Sequence, residues 1–149
     1  MTMKVFSPSI PISQPCDLWS VVGLEAKGGI TLINKINLGL EGEVAKRISA
    51  WAHITPTELR KMSGIPNTSF NRSIKGRFTS EQSERLFRVI RVLSRAVELF
   101  EGDKNAAQQW LNEKNRVLIW QKPADVLASE TGGLEVMRLI TRIEHGVYS

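Results

Sequence analysis

Between Glu84 and Phe100 the chain places Leu86, Phe87, Val89, Ile90, Val92, Leu93, Ala96, Val97, Leu99 and Phe100. Plotted as a helix, these side chains fill about two thirds of the circumference, and only Glu84, Arg88, Arg91, Arg95 and Glu98 form a polar arc. A helix that apolar cannot rest on a surface by one stripe. It must be contacted from two sides, by N-terminal helices and by a C-terminal part or a second subunit. The pattern predicts a helix over about 80–101, started by the capping box Thr79-Ser80-Glu81-Gln82. Everything else in the chain is short enough to be arranged around it.

Just before it stand two short helical patterns separated by a tight break. Thr55-Pro56-Thr57-Glu58 is a helix start: Thr55 caps, Pro56 suits the first position, and Glu58 reaches back. Gly64 is placed to end that helix, since glycine enters the left-handed region cheaply. After Ile65-Pro66-Asn67 a second helix is expected over about 68–75, with Gly76 as its stop. Phe70 and Ile74 give it an inner side, which leaves Asn71, Arg72 and Lys75 outward. The unit is a helix-turn-helix pattern.

Charge falls on the same stretch. Residues 46–95 hold eleven Lys/Arg against three Asp/Glu, whereas residues 1–45 and 96–149 are slightly acidic. A focused basic region attracts polyanions through its field and through counterion release. Coincident with the helix-turn-helix pattern, it marks Asn67, Thr68, Ser69, Asn71 and Arg72 as candidate contacts to DNA bases or phosphates. Lys75 and Arg77, at the helix end and in the next turn, are placed as phosphate clamps. Asn67 and Thr68 have an equally good structural role as helix caps.

The remaining segments predict an all-α chain. Residues 1–17 carry Pro8, Pro11 and Pro15 and read as an extended segment whose Phe6, Ile10 and Ile12 could dock elsewhere. Leu18–Leu24 is a short apolar cluster. Helices are expected over about 29–37, with Gly39 as stop, and over 42–52, where Val44, Ile48 and Trp51 share a face. Asp103 caps a helix to Leu111, and Pro123 starts one through Ala128. Thr131 is expected to cap a last helix over about 132–145, ended by Gly146. Val117-Leu118-Ile119-Trp120 is an apolar run too brief to classify, a strand or an extended segment. The division expected is an N-terminal segment, 1–17, a helix-turn-helix and dimerisation domain, 18–101, and a small C-terminal domain, 102–149.

No catalytic constellation is visible. His53, His145 and the single Cys16 share no metal-ligand spacing, and no phosphate loop or nucleophile elbow is present. No enzyme activity and no cofactor are expected. The lone cysteine and the absence of a secretory leader or a long apolar run point to a cytoplasmic protein.

Several C-terminal segments, in order, carry a resemblance. They are Glu81-Gln82-Ser83-Glu84-Arg85-Leu86, Ala106 to Trp110-Leu111, Lys122-Pro123-Ala124-Asp125-Val126-Leu127, Gly133 with Val136, and Arg142-Ile143-Glu144-His145-Gly146-Val147-Tyr148. Together they resemble the antitoxins named Xre, MbcA or ParS over roughly residues 40–149, departing at Asn112-Glu113-Lys114, where a proline is expected. The resemblance implies a type II toxin–antitoxin role without catalysis. The partner would be a RES-domain toxin that consumes NAD+, its cleft occluded by the C-terminal part. The chain would also bind operator DNA as a homodimer and repress its own operon. Trp110, Glu144, His145, Gly146, Tyr148 and Ser149 are the toxin-binding candidates that follow. The competing reading is a stand-alone helix-turn-helix regulator without a toxin.

Overall fold

Alternating capping residues and glycines cut this chain into short helices, and the computed structural model, which describes residues 17–25 and 28–146, arranges them around one long one. In order they are α1 (Leu18–Val22), α2 (Ile30–Leu38), α3 (Gly42–Ala52), α4 (Pro56–Ser63), α5 (Asn67–Ser73), α6 (Ser80–Leu99), α7 (Lys104–Leu111), α8 (Pro123–Val126) and α9 (Glu130–Glu144). Among the described residues there is no strand, and no helix is long and apolar enough to cross a membrane. The architecture is all-α, with the helix-turn-helix toward the N-terminus and the small helical domain after the long helix. The segment with Phe6, Ile10, Ile12 and Cys16, and the candidates Tyr148 and Ser149, lie outside the described residues.

The wide apolar arc of α6 is covered from both directions. Helices α1, α2, α3 and α4 pack on it from the N-terminal side, and α7 and α9 from the C-terminal side. Leu86, Val89, Ile90, Val92, Leu93 and Ala96 are at most 1% exposed. Each of these side chains other than Ala96 is worth about 1.5–3 kcal/mol in removal from water. The two expected capping boxes are both formed. Thr55 Oγ1 accepts from the Glu58 amide at 3.1 Å while Glu58 accepts from the Thr55 amide at 2.7 Å. Thr79 and Gln82 repeat the exchange at 3.1 and 2.9 Å.

The polar arc of α6 is the less expected half of the packing. Arg88 is 11% exposed in its side chain and reaches into the C-terminal layer. Its Nε donates to the Leu127 carbonyl at 2.9 Å, and its Nη2 to the carbonyls of Ala128 at 2.9 Å and Ser63 at 3.4 Å. Glu130 lies 3.3 Å from Nη1. Arg85 donates to the Gly64 carbonyl at 3.1 Å. Two turns beyond Arg88, Arg95 donates to Thr141 at 3.1 Å and Glu144 at 2.6 Å. The fork of an arginine satisfies several carbonyls at once, so this arc bonds α6 to α4 and α9.

Three local expectations are corrected. The cap of the last helix is Ser129, whose Oγ accepts from the Gly132 amide at 2.9 Å, and the helix starts before Thr131. The first turn of α9 lies so close to α8 that a Cβ on Gly132 would collide with the Val126 carbonyl oxygen. Helix α5 ends at Ser73, and Gly76 is not its stop. Gly76 keeps φ outside the left-handed region, and its carbonyl instead accepts from the Gly42 amide at 2.8 Å, stapling the loop to α3. The 117–120 run is neither strand nor extended. Arg116–Leu118 is a 3₁₀ turn, and Ile119 and Trp120 follow in left-handed conformation.

Two substitutions test this packing. Arg88→Ala strips bonds from three carbonyls and is expected to cost about 2–4 kcal/mol, read as a lower urea midpoint. Gly132→Ala is expected to cost about 1–3 kcal/mol through overpacking, whereas Gly76→Ala, with nothing within 4 Å of a new Cβ, leaves the midpoint nearly unchanged.

Candidate functional site

The helix-turn-helix is built by locking the inner face of α5 and leaving its outer face bare. Gly64, at φ 76°, ends α4 in the left-handed region. Ile65 is then buried fully and Pro66 sets the entry to α5. Phe70 is 2% exposed and meets Phe78 with ring centroids 5.6 Å apart. Ser73 Oγ donates to Gln82 Oε1 at 2.8 Å, the same side chain that closes the cap of α6. Helix α5 is therefore fixed in rotation by one apolar and one polar anchor.

That rotation decides what faces outward. Asn67, Thr68, Asn71 and Arg72 are exposed and span an arc of about 140° at helical spacing. Lys75 is exposed in the turn that follows, and Ser69 is half-buried at the edge. Asn71 Nδ2 donates to Asn67 Oδ1 at a long 3.4 Å, a weak bond that leaves both amides able to exchange partners. Arg77 stands apart from this group. Its Nη1 donates to the Gly39 carbonyl at 2.5 Å, and its Nη2 lies 3.6 Å from Glu41. Its guanidinium thus holds the α2–α3 junction, and a phosphate contact would draw on the donors that remain. The outer surface of α5 can offer amides, hydroxyls and two cations to a nucleic-acid groove.

A second group lies at the far end of the molecule. Leu99 and Phe100 at the end of α6, Trp110 of α7 and Ile143 of α9 line an open apolar groove. Trp110 is half-buried there, tilted on Phe100 with centroids 6.4 Å apart. Helix α9 ends beside it, so the exposed His145 and Gly146 follow directly from the groove wall. Glu144 is engaged inside the chain, its carboxylate on Arg95. The structure therefore brings Trp110 and the last turn of α9 to one end, and separates both from α5. His53 joins neither group: it caps α3 at φ 61°, with Nδ1 3.3 Å from Asn105 Oδ1.

One feature of this half escapes sequence reasoning. Ile119 and Trp120 are 80% and 61% exposed, and both hold positive φ, 56° and 63°. The apolar run 117–120 reads in sequence as a strand or an extended segment, and only the turn that Asn115 organises reveals that its second half points outward. The available sequence signal was Asn115 itself, a residue suited to bonding the backbone two positions on, as its Oδ1 does to the Val117 amide at 2.9 Å.

Comparison with known proteins finds matches over both halves of the chain. The family model of the antitoxin Xre-like helix-turn-helix domain matches residues 32–91. That of the antitoxin Xre/MbcA/ParS C-terminal toxin-binding domain matches residues 95–146. An antitoxin Xre of Yersinia enterocolitica is 40% identical over 99% of this chain and all of its own length. An antitoxin Xre of Photorhabdus laumondii is 39% identical over the same shares. With two domain models covering most of the chain in sequence and full-length relatives at this identity, the chain belongs to the Xre antitoxin family.

Proposed function

We propose that this chain neutralises a RES-domain toxin that consumes NAD+, and that as a homodimer it binds operator DNA and represses its own operon. The observation that carries the reading is the pairing, in one rigidly bonded chain, of an outward polar α5 with a separate C-terminal end that belongs to a toxin-binding domain. On the DNA side, Asn67, Thr68, Ser69, Asn71 and Arg72 meet base edges or phosphates, and Lys75 and Arg77 grip the backbone. On the toxin side, Trp110, Glu144, His145, Gly146, Tyr148 and Ser149 cover the nucleotide cleft. The net acidic balance of residues 96–149 suits a cleft that carries basic groups for an anionic nucleotide. Glu144 joins that contact by exchanging Arg95 for a toxin cation.

The dimer needs an apolar surface, and the arc of α6 is spent within the chain. Helix α2 offers another: Ile30, Ile33 and Leu38 are 70%, 52% and 73% exposed. We assign the homodimer contact to this face, because operators read by such motifs are usually two-fold.

Three experiments test the parts separately. Arg72→Ala with Lys75→Ala is expected to weaken operator binding about tenfold or more and to flatten its salt dependence by about one unit per lost phosphate contact. Unchanged affinity would remove these residues from the interface. Deleting residues 144–149 is expected to abolish neutralisation of toxin NAD+ consumption while operator binding persists. A folded, fully neutralising truncation sinks the occlusion idea. Ile33→Glu is expected to halve the mass in light scattering while the helical circular-dichroism spectrum persists and the melting temperature loses its dependence on protein concentration.

A further inference from the structure

The loop between α7 and α8 is built to hold two large apolar side chains in solvent. Asn115 is buried, and four bonds converge on it. Its amide donates to the Gln121 carbonyl at 3.0 Å. Its carbonyl accepts from Leu118 at 3.1 Å and Trp120 at 2.8 Å, and its side chain accepts from Val117. Leu118 is 7% exposed and plugs the loop into the body. The rim closes so tightly that the next two residues must both take positive φ. Elsewhere among the described residues this conformation falls mostly on glycine, as at Gly23 and Gly64, and otherwise on the polar His53 and Glu101. Here the chain places a β-branched isoleucine, for which the left-handed region is a genuine outlier, and a tryptophan. Strain of this kind persists where the surrounding bonds over-determine it, and it concentrates at ligand clamps and switch regions.

The surroundings of the tip state what it suits. From residue 114 to residue 122 there is no Asp or Glu, while Lys114, Arg116 and Lys122 are all present, the first two exposed. An apolar wedge with a basic collar is complementary to an apolar pocket with an acidic rim. It is opposite in sign to the overall acidic balance of the C-terminal stretch. Tryptophan is the side chain that most often carries binding energy at the centre of an interface. The tip also lies inside residues 95–146, which match the toxin-binding domain.

We propose that Ile119 and Trp120 form a second docking point for the toxin, seated in an apolar pocket rimmed by acidic groups on the toxin surface. This rests on the antitoxin reading above and adds a contact distinct from the end of α9. The wedge anchors the complex, and the basic collar steers its approach.

The test uses the full-length chain and an immobilised RES-domain toxin encoded in the same operon, with operator affinity, oligomeric mass and melting temperature measured in parallel. Trp120→Ala is expected to raise the toxin Kd about tenfold or more, mainly through faster dissociation. The double variant Ile119→Gly, Trp120→Gly is expected to lose as much affinity while its melting temperature holds or rises, because glycine adopts both dihedrals without strain. Lys114→Glu with Arg116→Glu is expected to slow association at low salt.

A wild-type chain that fails to bind the toxin overturns the antitoxin reading and the wedge with it. A wild-type chain that binds, with both tip variants within twofold of it, overturns the wedge alone. Toxin affinity kept while operator affinity or dimer mass falls assigns the tip to DNA or to a second copy. A melting temperature that drops in the double-glycine variant makes the tip a structural turn.

Discussion

Helix α6 has apolar side chains around most of its surface, and water is excluded from most of them. A helix in that condition cannot belong to one layer. The N-terminal helices can cover one side only, and the C-terminal helices must cover the other. The polar arc, which in a two-layer protein would face solvent, keeps Glu84 and Glu98 exposed but sends Arg88 and Arg95 across to neighbouring elements. Arg88 crosses from α6 to three carbonyls of the α4 and α8 turns, and a Cβ on Gly133 would stand 2.8 Å from its Cδ. The glycine pair at the start of α9 is thus part of the same device: one glycine makes room for the arginine, and the other for the carbonyl of Val126.

This shared helix explains why two binding functions sit in one short chain. The N-terminal turn of α6, with Phe78 just before its cap, fixes α5 through Gln82 and that ring, and its C-terminal turn forms the groove that Trp110 and Ile143 complete. The two candidate surfaces lie at opposite ends of a twenty-residue helix, roughly 30 Å long. That separation places the DNA-side and the partner-side candidates on different parts of the chain.

The outward face of α5 is polar but weakly committed. Asn67 and Asn71 hold each other at a long distance, and Arg72 and Lys75 are exposed. Arg77 is the exception, because the Gly39 carbonyl and Glu41 engage its guanidinium. Glu144 at the other end is engaged in the same way by Arg95. Both are partly exposed ion pairs, of the kind worth about 0–1 kcal/mol, so a phosphate or a toxin side chain could displace the partner at modest cost.

What the sequence determined by itself were the features with local causes. The capping boxes at Thr55 and Thr79, Pro56, Gly64 and Gly39 mark helix ends because their bonds close within a few residues. The apolar arc of α6 dictated packing on two sides because hydrophobic area must go somewhere. Only the tertiary structure decided matters that depend on residues distant in the chain. Gly76 looked like a helix stop and serves as an acceptor for Gly42. Thr131 looked like a cap, and Ser129 took the role where α8 meets α9. Arg88 looked like one member of a polar stripe and became a largely buried tie across 40 residues. The outward turn of Ile119 and Trp120 is of the same kind: an apolar run in sequence is core or surface according to how a buried asparagine beside it closes the loop, and that closure is made in three dimensions.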